Sequence, residues 1–379
     1  MSKLDELIQE LCPDGVEFVS MNELLKRKQI STITPTIKVK RNDYLDIGET
    51  PIISQEIEYI SGYCNFHDKN IPCGNYVCFG DHSEHIKYIN FSFVQGADGL
   101  KLMRTNESTI SSRYLFHALS SKYQRHNNYE RHFKYLTDTI IPVPPLPVQC
   151  EIVRILDNFT ELTAELTAEL TARKKQYAYY RDKLLTFGDV RGGATSDVIR
   201  RTLGEVCKIS AGGDAPKDSM SKQKTEKYSV PIISNGIGEN ALYGYTDAPK
   251  VEEPAVTVAA RGTIGYAEYR DYPFYPIIRL LTAIPKDSTV VNTKYLYYCL
   301  QGKQYSVPMG GIPQLTAPEL KKVEIPIPSL DVQNRIVQVL DNFDAICTDL
   351  SSGLPAEIEA RQKQYEYYRD KLLSFEEKI

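Results

Sequence analysis

A fifteen-residue stretch occurs twice in this chain and constrains what it can fold into. Arg173–Phe187 reads RKKQYAYYRDKLLTF and Arg361–Phe375 reads RQKQYEYYRDKLLSF, identical at twelve of fifteen positions and 188 residues apart. Upstream of each lies a second matched pair, IPVPPLPVQCEIVRILDNF from Ile141 and IPIPSLDVQNRIVQVLDNF from Ile325, 184 residues apart. Two offsets that differ by four residues mean one unit present twice, with a four-residue length change inside it. A long internal repeat takes precedence over any local pattern in setting the fold.

Each copy reads as a globule followed by a long helix. The proline-rich strap Ile141–Pro147 favours extended backbone, and Pro147 suits the opening of the next helix. From there apolar residues recur at Val148, Ile152, Ile155, Phe159, Leu162, Leu166 and Leu170, then Tyr177, Tyr180, Leu184 and Phe187. Steps of three and four over about forty residues predict a helix of roughly 60 Å with one apolar stripe. Inside it, Thr160–Ala172 is TELTAELTAELTA, a four-residue period of good helix formers. Gly188, Gly192 and Gly193 are positioned to end it. The second helix carries the same stripe at Val332, Ile336, Val339, Phe343, Ile346, Leu350, Leu354 and Ile358, with a break expected at Gly353-Leu354-Pro355. Two such stripes in one chain bury most economically against each other, as an antiparallel two-helix coiled coil.

The globules read as α+β. In the first, short β-like runs (Thr36–Val39, Pro51–Ser54, Tyr76–Phe79, Phe91–Val94) precede a helix near Arg113–Tyr123. In the second, PIIS at Pro231 matches PIIS at Pro51, and KYLYYCL at Lys294 matches RYLFHAL at Arg113; between these anchors the globules diverge. The expected organisation is an N-terminal helix over 1–19, a first globule and strap over 20–147, a long helix and linker over 148–196, a second globule and strap over 197–330, and a second long helix over 331–379. Residues 4–11 and the C-terminal end together match the middle of the repeat, which is nearly circular, so the two ends are expected to lie close together.

The net charge of −4 is unevenly spread: the globules are mildly basic, whereas residues 323–379 hold six Lys and Arg against eleven Asp and Glu. Charge alone fits scattered surface ionisation as well as it fits nucleic acid. No apolar run approaches the roughly eighteen residues of a membrane span, and acids occupy the N-terminal region where a signal peptide is basic. Eight singly scattered cysteines suit reduced thiols and a cytoplasmic location.

No phosphate-binding loop, adenine-methyltransferase motif or nucleophile elbow is present, and no acid–base constellation stands out. Cys64, His67, Cys73, Cys78, His82 and His85 fall within twenty-two residues. Their spacing fits no standard zinc finger and has no counterpart in the second globule, so ordinary loop residues are expected and metal ligands are not. The copied helices keep polar residues all round: Arg173, Lys175, Gln176, Tyr179, Arg181 and Lys183 return as Arg361, Lys363, Gln364, Tyr367, Arg369 and Lys371. A core stripe alone does not require that, so two equivalent docking surfaces for one kind of partner are expected.

With its two IPxPxLxVQ straps and helices, its two YxYYRDKLL endings, and GGIPQLTAPEL from Gly310, the chain resembles the specificity (S) subunits of type I restriction-modification systems over essentially its whole length. The resemblance implies two target recognition domains held apart by the coiled coil in a pseudo-twofold repeat. Each domain would read half of a split site on double-stranded DNA. It also implies binding of two modification (M) subunits, which carry S-adenosylmethionine and methylate adenine N6, and of restriction (R) subunits that use ATP and Mg. The chain itself would hold no cofactor and no catalytic residues. Charge and loop placement, not family motifs, point to Lys26, Arg27, Lys28, Lys38, Lys40, Arg41, Arg131, His132 and Lys134 as DNA contacts in the first globule. In the second they point to Lys217, Lys222, Lys224, Lys227, Arg261 and Gln314. The alternative is a coiled-coil adaptor with two ligand-binding globules that does not read DNA.

Overall fold

Each of the two compact units in this chain draws residues from both copies of the repeat. The computed structural model describes residues 2–35, 38–65, 70–96, 99–187, 198–305, 313–349 and 351–378. Met1–Thr167 with Glu357–Ile379 forms one unit, and Ala168–Ala356 the other. Gly188, Gly192, Gly193 and the segment Gly310–Ile312 lie outside the described residues.

In the first unit a four-stranded antiparallel sheet runs in the order Ile30–Ile33, Leu100–Thr105, Tyr76–Gly80, Ile86–Ile89. A three-stranded sheet joins Gly62–Cys64, Thr50–Ile53 and Val94–Gln95. The expected Phe91–Val94 strand is displaced toward its C-terminal end, because Phe93 makes only an isolated bridge to Ile71. Of the Thr36–Val39 run, 36 and 37 lie outside the described residues, and Lys38 bridges Gln95. The strap enters as the strand Ile140–Pro142, antiparallel to Phe18–Ser20.

The second unit repeats the plan. Its first sheet runs Cys207–Ala211, Leu281–Pro285, Ala255–Val258, Ala267–Arg270, and its second Met220–Ser221, Leu242–Thr246, Val230–Ile233, Tyr275–Pro276. The strap strand Glu324–Ile327 pairs with Ile199–Thr202. In each unit one inner strand of the four-stranded antiparallel sheet is buried on both faces: every residue of Tyr76–Gly80 and of Ala255–Val258 is buried. The helix after the last sheet strand covers one face, Ser112–Lys122 in one unit and Thr293–Leu300 in the other.

The first long helix is continuous over Leu146–Thr186, with Pro147 in its first turn, where its missing N–H costs no hydrogen bond. In the TAEL run the hydroxyls of Thr163 and Thr167 donate back to the carbonyls four residues earlier at 2.8 Å, satisfying groups that would otherwise compete with the helix. The second helix is broken as expected, into Leu330–Thr348 and Leu354–Leu372. Gly353 is obligatory there: a Cβ on it would lie 2.6 Å from the Asp349 carbonyl oxygen and 2.7 Å from that of Ala345.

The apolar stripe needs correction. Leu162, Val332, Val339 and Ile346 are exposed, whereas Gln149, Ile152, Leu156 and their counterparts Gln333, Ile336, Leu340 are buried. The buried positions follow i, i+3, i+7, the face that each helix turns to its own globule. The same aromatic pair then recurs in each unit. Phe159 stacks on Tyr368 with centroids 5.3 Å apart in the first, and Phe343 on Tyr180 at 5.9 Å in the second. The C-terminal segment closes the first unit: Val16 N–H donates to the Glu376 carbonyl at 2.9 Å, and Lys378 N–H to the Val16 carbonyl at 3.0 Å. Leu373 is buried in the same core as Leu4, Cys12 and Val16.

Candidate functional site

A small set of residues ties each long helix to its globule, and the set is the same in both units. Gln149 is fully buried; its Oε1 accepts the Ser111 N–H at 3.0 Å, and its Nε2 donates to the carbonyls of Thr109 (3.1 Å) and Pro144 (2.8 Å). Gln333 does the same with Asn292 N–H (2.9 Å), Val290 (2.8 Å) and Pro328 (2.9 Å). Tyr114 and Tyr295 hydroxyls each donate to a strap carbonyl, Pro142 and Pro326, at 2.9 Å. The aspartates of the two LDNF segments receive a cation, Arg113 on Asp157 at 2.8 Å and Lys294 on Asp341 at 2.8 Å. These bonds hold the globules to the helices without touching the variable loops.

The copied polar residues divide into two groups. Arg181 and Arg369 are held against their own helices by Asp182 (2.8 Å) and Asp370 (2.9 Å), and only 18% of each side chain is exposed. Arg173 pairs with Glu169 and donates to Gln176; Arg361 pairs with Glu357 and donates to Gln364. Lys363 pairs with Glu359 at 2.6 Å, and Lys175 is exposed. Tyr179 and Tyr367, by contrast, are 61% and 62% exposed. Each lies edge-on to the next tyrosine and beneath a lysine, Lys183 at 5.8 Å and Lys371 at 6.0 Å. An exposed tyrosine beneath a cation suits a partner surface, where aromatic residues are enriched.

On the first globule a cleft of about 470 Å³ is lined by Lys38, Lys101 and Arg131 together with Thr34, His82 and Gln95. It brings together two of the expected cations, Lys38 and Arg131, and adds Lys101, whose isolated position on a strand gave no sequence signal. Lys26 and Arg27 pair with Glu23, and Arg27 also with Glu17, on their own side of the globule. Arg41 pairs with Glu56; Lys28 and Lys40 are exposed. Lys134 is held by Glu130 at 3.2 Å.

His132 needs correcting as a DNA contact. It is fully buried, with its N–H and Nδ1 on the Asp81 carbonyl and Nε2 2.6 Å from Asn128 Oδ1. It serves the loop that carries Arg131. The same loop is anchored by Glu84, which accepts the Tyr123 hydroxyl at 2.6 Å and the N–H groups of His126 and Asn127 at 2.8 Å. Burial alone would push the Glu84 carboxyl up, but those donors hold it down at about 2.

On the second globule Lys217, Lys222, Lys224 and Lys227 are exposed around the Met220–Ser221 edge, and Lys222 lies 3.7 Å over the Tyr243 ring. Arg261 and Gln314, fifty-three residues apart, meet: Arg261 Nε and Nη2 donate to Gln314 Oε1 at 3.0 and 2.6 Å. The correspondence of PIIS at Pro51 and at Pro231 extends one residue further in role. The next residue, Gln55 or Asn235, accepts a loop N–H in each globule, His82 at 3.1 Å and Ala260 at 2.8 Å. Among the described residues no three His, Cys, Asp or Glu side chains cluster as a metal site requires, and His67 lies outside them. Nor, among them, is any helix long and apolar enough to cross a membrane.

Residues 13–173 and 196–360 each match the model of the type I restriction modification DNA specificity domain. The chain belongs to the type I specificity-subunit family. The specificity subunit of the Escherichia coli type I restriction enzyme EcoR124I/EcoR124II is 30% identical over 99% of this chain and 97% of its own length. The fold is shared with the solved S subunit of M. genitalium, at TM-score 0.58 and 13% identity over 95% of this chain and 96% of that one. A second likeness, from a structure of type I R-M complex assembly and conformational transition, has TM-score 0.56 and 18% identity over 96% of this chain and 98% of that one. Two specificity domains of mixed helix and sheet thus account for the two globules, which are target recognition domains.

Proposed function

We propose that this chain is the DNA sequence-recognition subunit of a cytoplasmic type I restriction-modification complex. Each globule reads one half of a split site on double-stranded DNA. The chain positions two modification subunits for adenine N6 methylation and restriction subunits for cleavage. It carries no catalytic residues in this reading: S-adenosylmethionine belongs to the modification subunit, and ATP and Mg to the restriction subunit. Because the target adenine lies inside a duplex, the assembled complex must flip it.

The observation that carries the reading is the contrast inside one chain. The same framework bonds recur in both units, from Gln149 and Gln333 to Asp157 and Asp341, while the loops they support differ. A shared framework with two different loop sets suits two different half-sites, and the repeated Tyr179–Lys183 and Tyr367–Lys371 surfaces suit two copies of one partner. An antiparallel coiled coil in a pseudo-twofold repeat is part of the proposal, supported by the repeated Phe159–Tyr368 and Tyr180–Phe343 stacks. Cations such as Lys38, Lys101, Arg131 and Lys217 supply phosphate contacts, so binding is expected to weaken steeply with salt.

The test is co-expression with the cognate modification subunit and mapping of N6-methyladenine across the host genome. A single split motif, methylated on both strands and absent without this chain, is expected. A stable complex that methylates no motif would overturn the DNA-reading role, and absence of a complex would favour the adaptor.

A further inference from the structure

Three loops of the second globule, distant in sequence, are joined by one side chain. Asn235 Nδ2 donates to the Ile278 carbonyl at 2.6 Å, and its Oδ1 accepts the Ala260 N–H at 2.8 Å. Its own carbonyl accepts the Thr263 hydroxyl at 2.9 Å. Both faces of the amide are therefore used, and each places a cationic residue: Arg279 follows Ile278, and Arg261 follows Ala260.

The Ile278–Arg279 turn is strained. Both residues are left-handed, with φ of 52° and 59°. That region is unfavourable for any side chain, and most of all for a β-branched one. The turn is held by the Ile278 N–H on the Gly213 carbonyl at 2.9 Å and the Arg279 N–H on the Gly212 carbonyl at 3.0 Å. Gly212 admits no side chain, since a Cβ there would lie 2.7 Å from the Pro276 carbonyl carbon. The strain does not serve packing: Ile278 is 48% exposed, and Arg279 is exposed with no ion pair among the described residues. Strained backbone of this kind clusters at active sites and ligand clamps.

We propose that this end of the second globule is where its DNA half-site is read. It rests on the DNA-reading function proposed above. Arg279 and the Arg261–Gln314 pair meet phosphates and base edges in the major groove, and Ile278 makes the apolar contact that a thymine methyl accepts. Asn235 is a positioning residue. The first globule keeps one bond of the clamp, since Gln55 accepts the His82 N–H at 3.1 Å. Strand register sets Ile277 against Gly96, each donating its N–H to the matched isoleucine carbonyl, Ile233 and Ile53. Positions 278 and 279 then correspond to Ala97 and Asp98, which lie outside the described residues. A shared amide-to-loop bond beside different residues, Ile278-Arg279 in one sequence segment and Ala97-Asp98 in the other, is what two unlike half-sites demand.

The experiment uses the full chain co-expressed with its modification subunit. It combines methylated-motif mapping with binding of the purified complex to a duplex bearing the mapped motif. Arg279→Ala is expected to weaken binding tenfold or more, lower the salt slope by about one, and relax bases in one half of the motif only. Ile278→Gly is expected to raise the melting temperature by removing strain while relaxing the same half. Asn235→Ala is expected to relax that half too, without loss of modification-subunit binding. Variants that keep the wild-type motif and affinity, or that blur both halves equally, would overturn the proposal. A wild-type chain that yields no motif would instead sink the DNA-reading function itself.

Discussion

His117 Nε2 lies 3.1 Å from Asp157 Oδ1, and its Nδ1 lies 3.0 Å from the Tyr365 hydroxyl. The imidazole is fully buried, and burial, with Arg113 close by, lowers its pKa below the ordinary 6.5 despite the carboxylate. A histidine whose folded pKa is depressed supports the native state fully above 6.5 and loses that support as pH falls toward its folded value. Asp157, which burial raises but His117 and Arg113 hold below 3.8 overall, loses its own contribution only at lower pH. The melting temperature of the chain is therefore expected to fall on acidification from pH 7 to 5. His117→Gln should flatten that fall; an unchanged pH profile in the variant would show that the imidazole is not its source.

The buried amides offer a test of the framework. Gln149→Ala removes three hydrogen bonds and strands the Ser111 N–H, and Gln333→Ala does the same to Asn292. Each is expected to cost about 1–3 kcal/mol, read by denaturant unfolding. Equal costs in the two variants are expected because the bonding is the same.

Glu84 anchors the loop that carries Arg125 and Arg131. Glu84→Gln keeps the shape but weakens three donors' acceptor, so a loss of about 1–3 kcal/mol is expected. Its carboxyl sits at about 2 against an ordinary 4.5, and its stabilisation is present above 4.5 and lost as pH falls toward 2. Urea midpoints measured between pH 5 and 2.5 should converge for wild type and variant.

The exposed tyrosines should matter for partners and not for folding. Tyr179→Ala and Tyr367→Ala are each expected to leave the melting temperature nearly unchanged and to weaken one modification-subunit site by about 2 kcal/mol. Stoichiometry by light scattering should fall from two partners toward one in the single variants.

How much of this was legible follows from where each signal lives. The repeat exposed the two long helices, both straps and the break at Gly353, because those depend on local composition. It set Val148, Ile152 and Ile336 on the buried face but missed that face's centre, because a glutamine between apolar neighbours reads as surface, yet Gln149 and Gln333 are at the centre of each joint. The Asn235 clamp was hidden for another reason: its partner Ile278 is forty-three residues away, joined only by strand pairing. His132 looked like surface charge because nothing local reveals that Asp81 and Asn128 enclose it.

The TAEL run gives a length test. One added Thr-Ala-Glu-Leu lengthens the Leu146–Thr186 helix by about 6 Å, against about 3.4 Å per base pair. The methylated motif of such a variant is expected to gain one or two spacer base pairs with both halves intact. An unchanged spacer would reduce the run to a plain tether.

The bond between Val16 and the C-terminal segment has a consequence for synthesis. The first unit is completed by Leu373 and the segment Glu376–Lys378, which leave the ribosome only after all of Ala168–Ala356. At ordinary elongation rates that interval lasts roughly 10–40 s. Throughout it the nascent first globule lacks the partners that cover Leu4, Cys12 and Val16. Chaperone occupancy or protease nicking during translation should concentrate there and end when the last helix emerges.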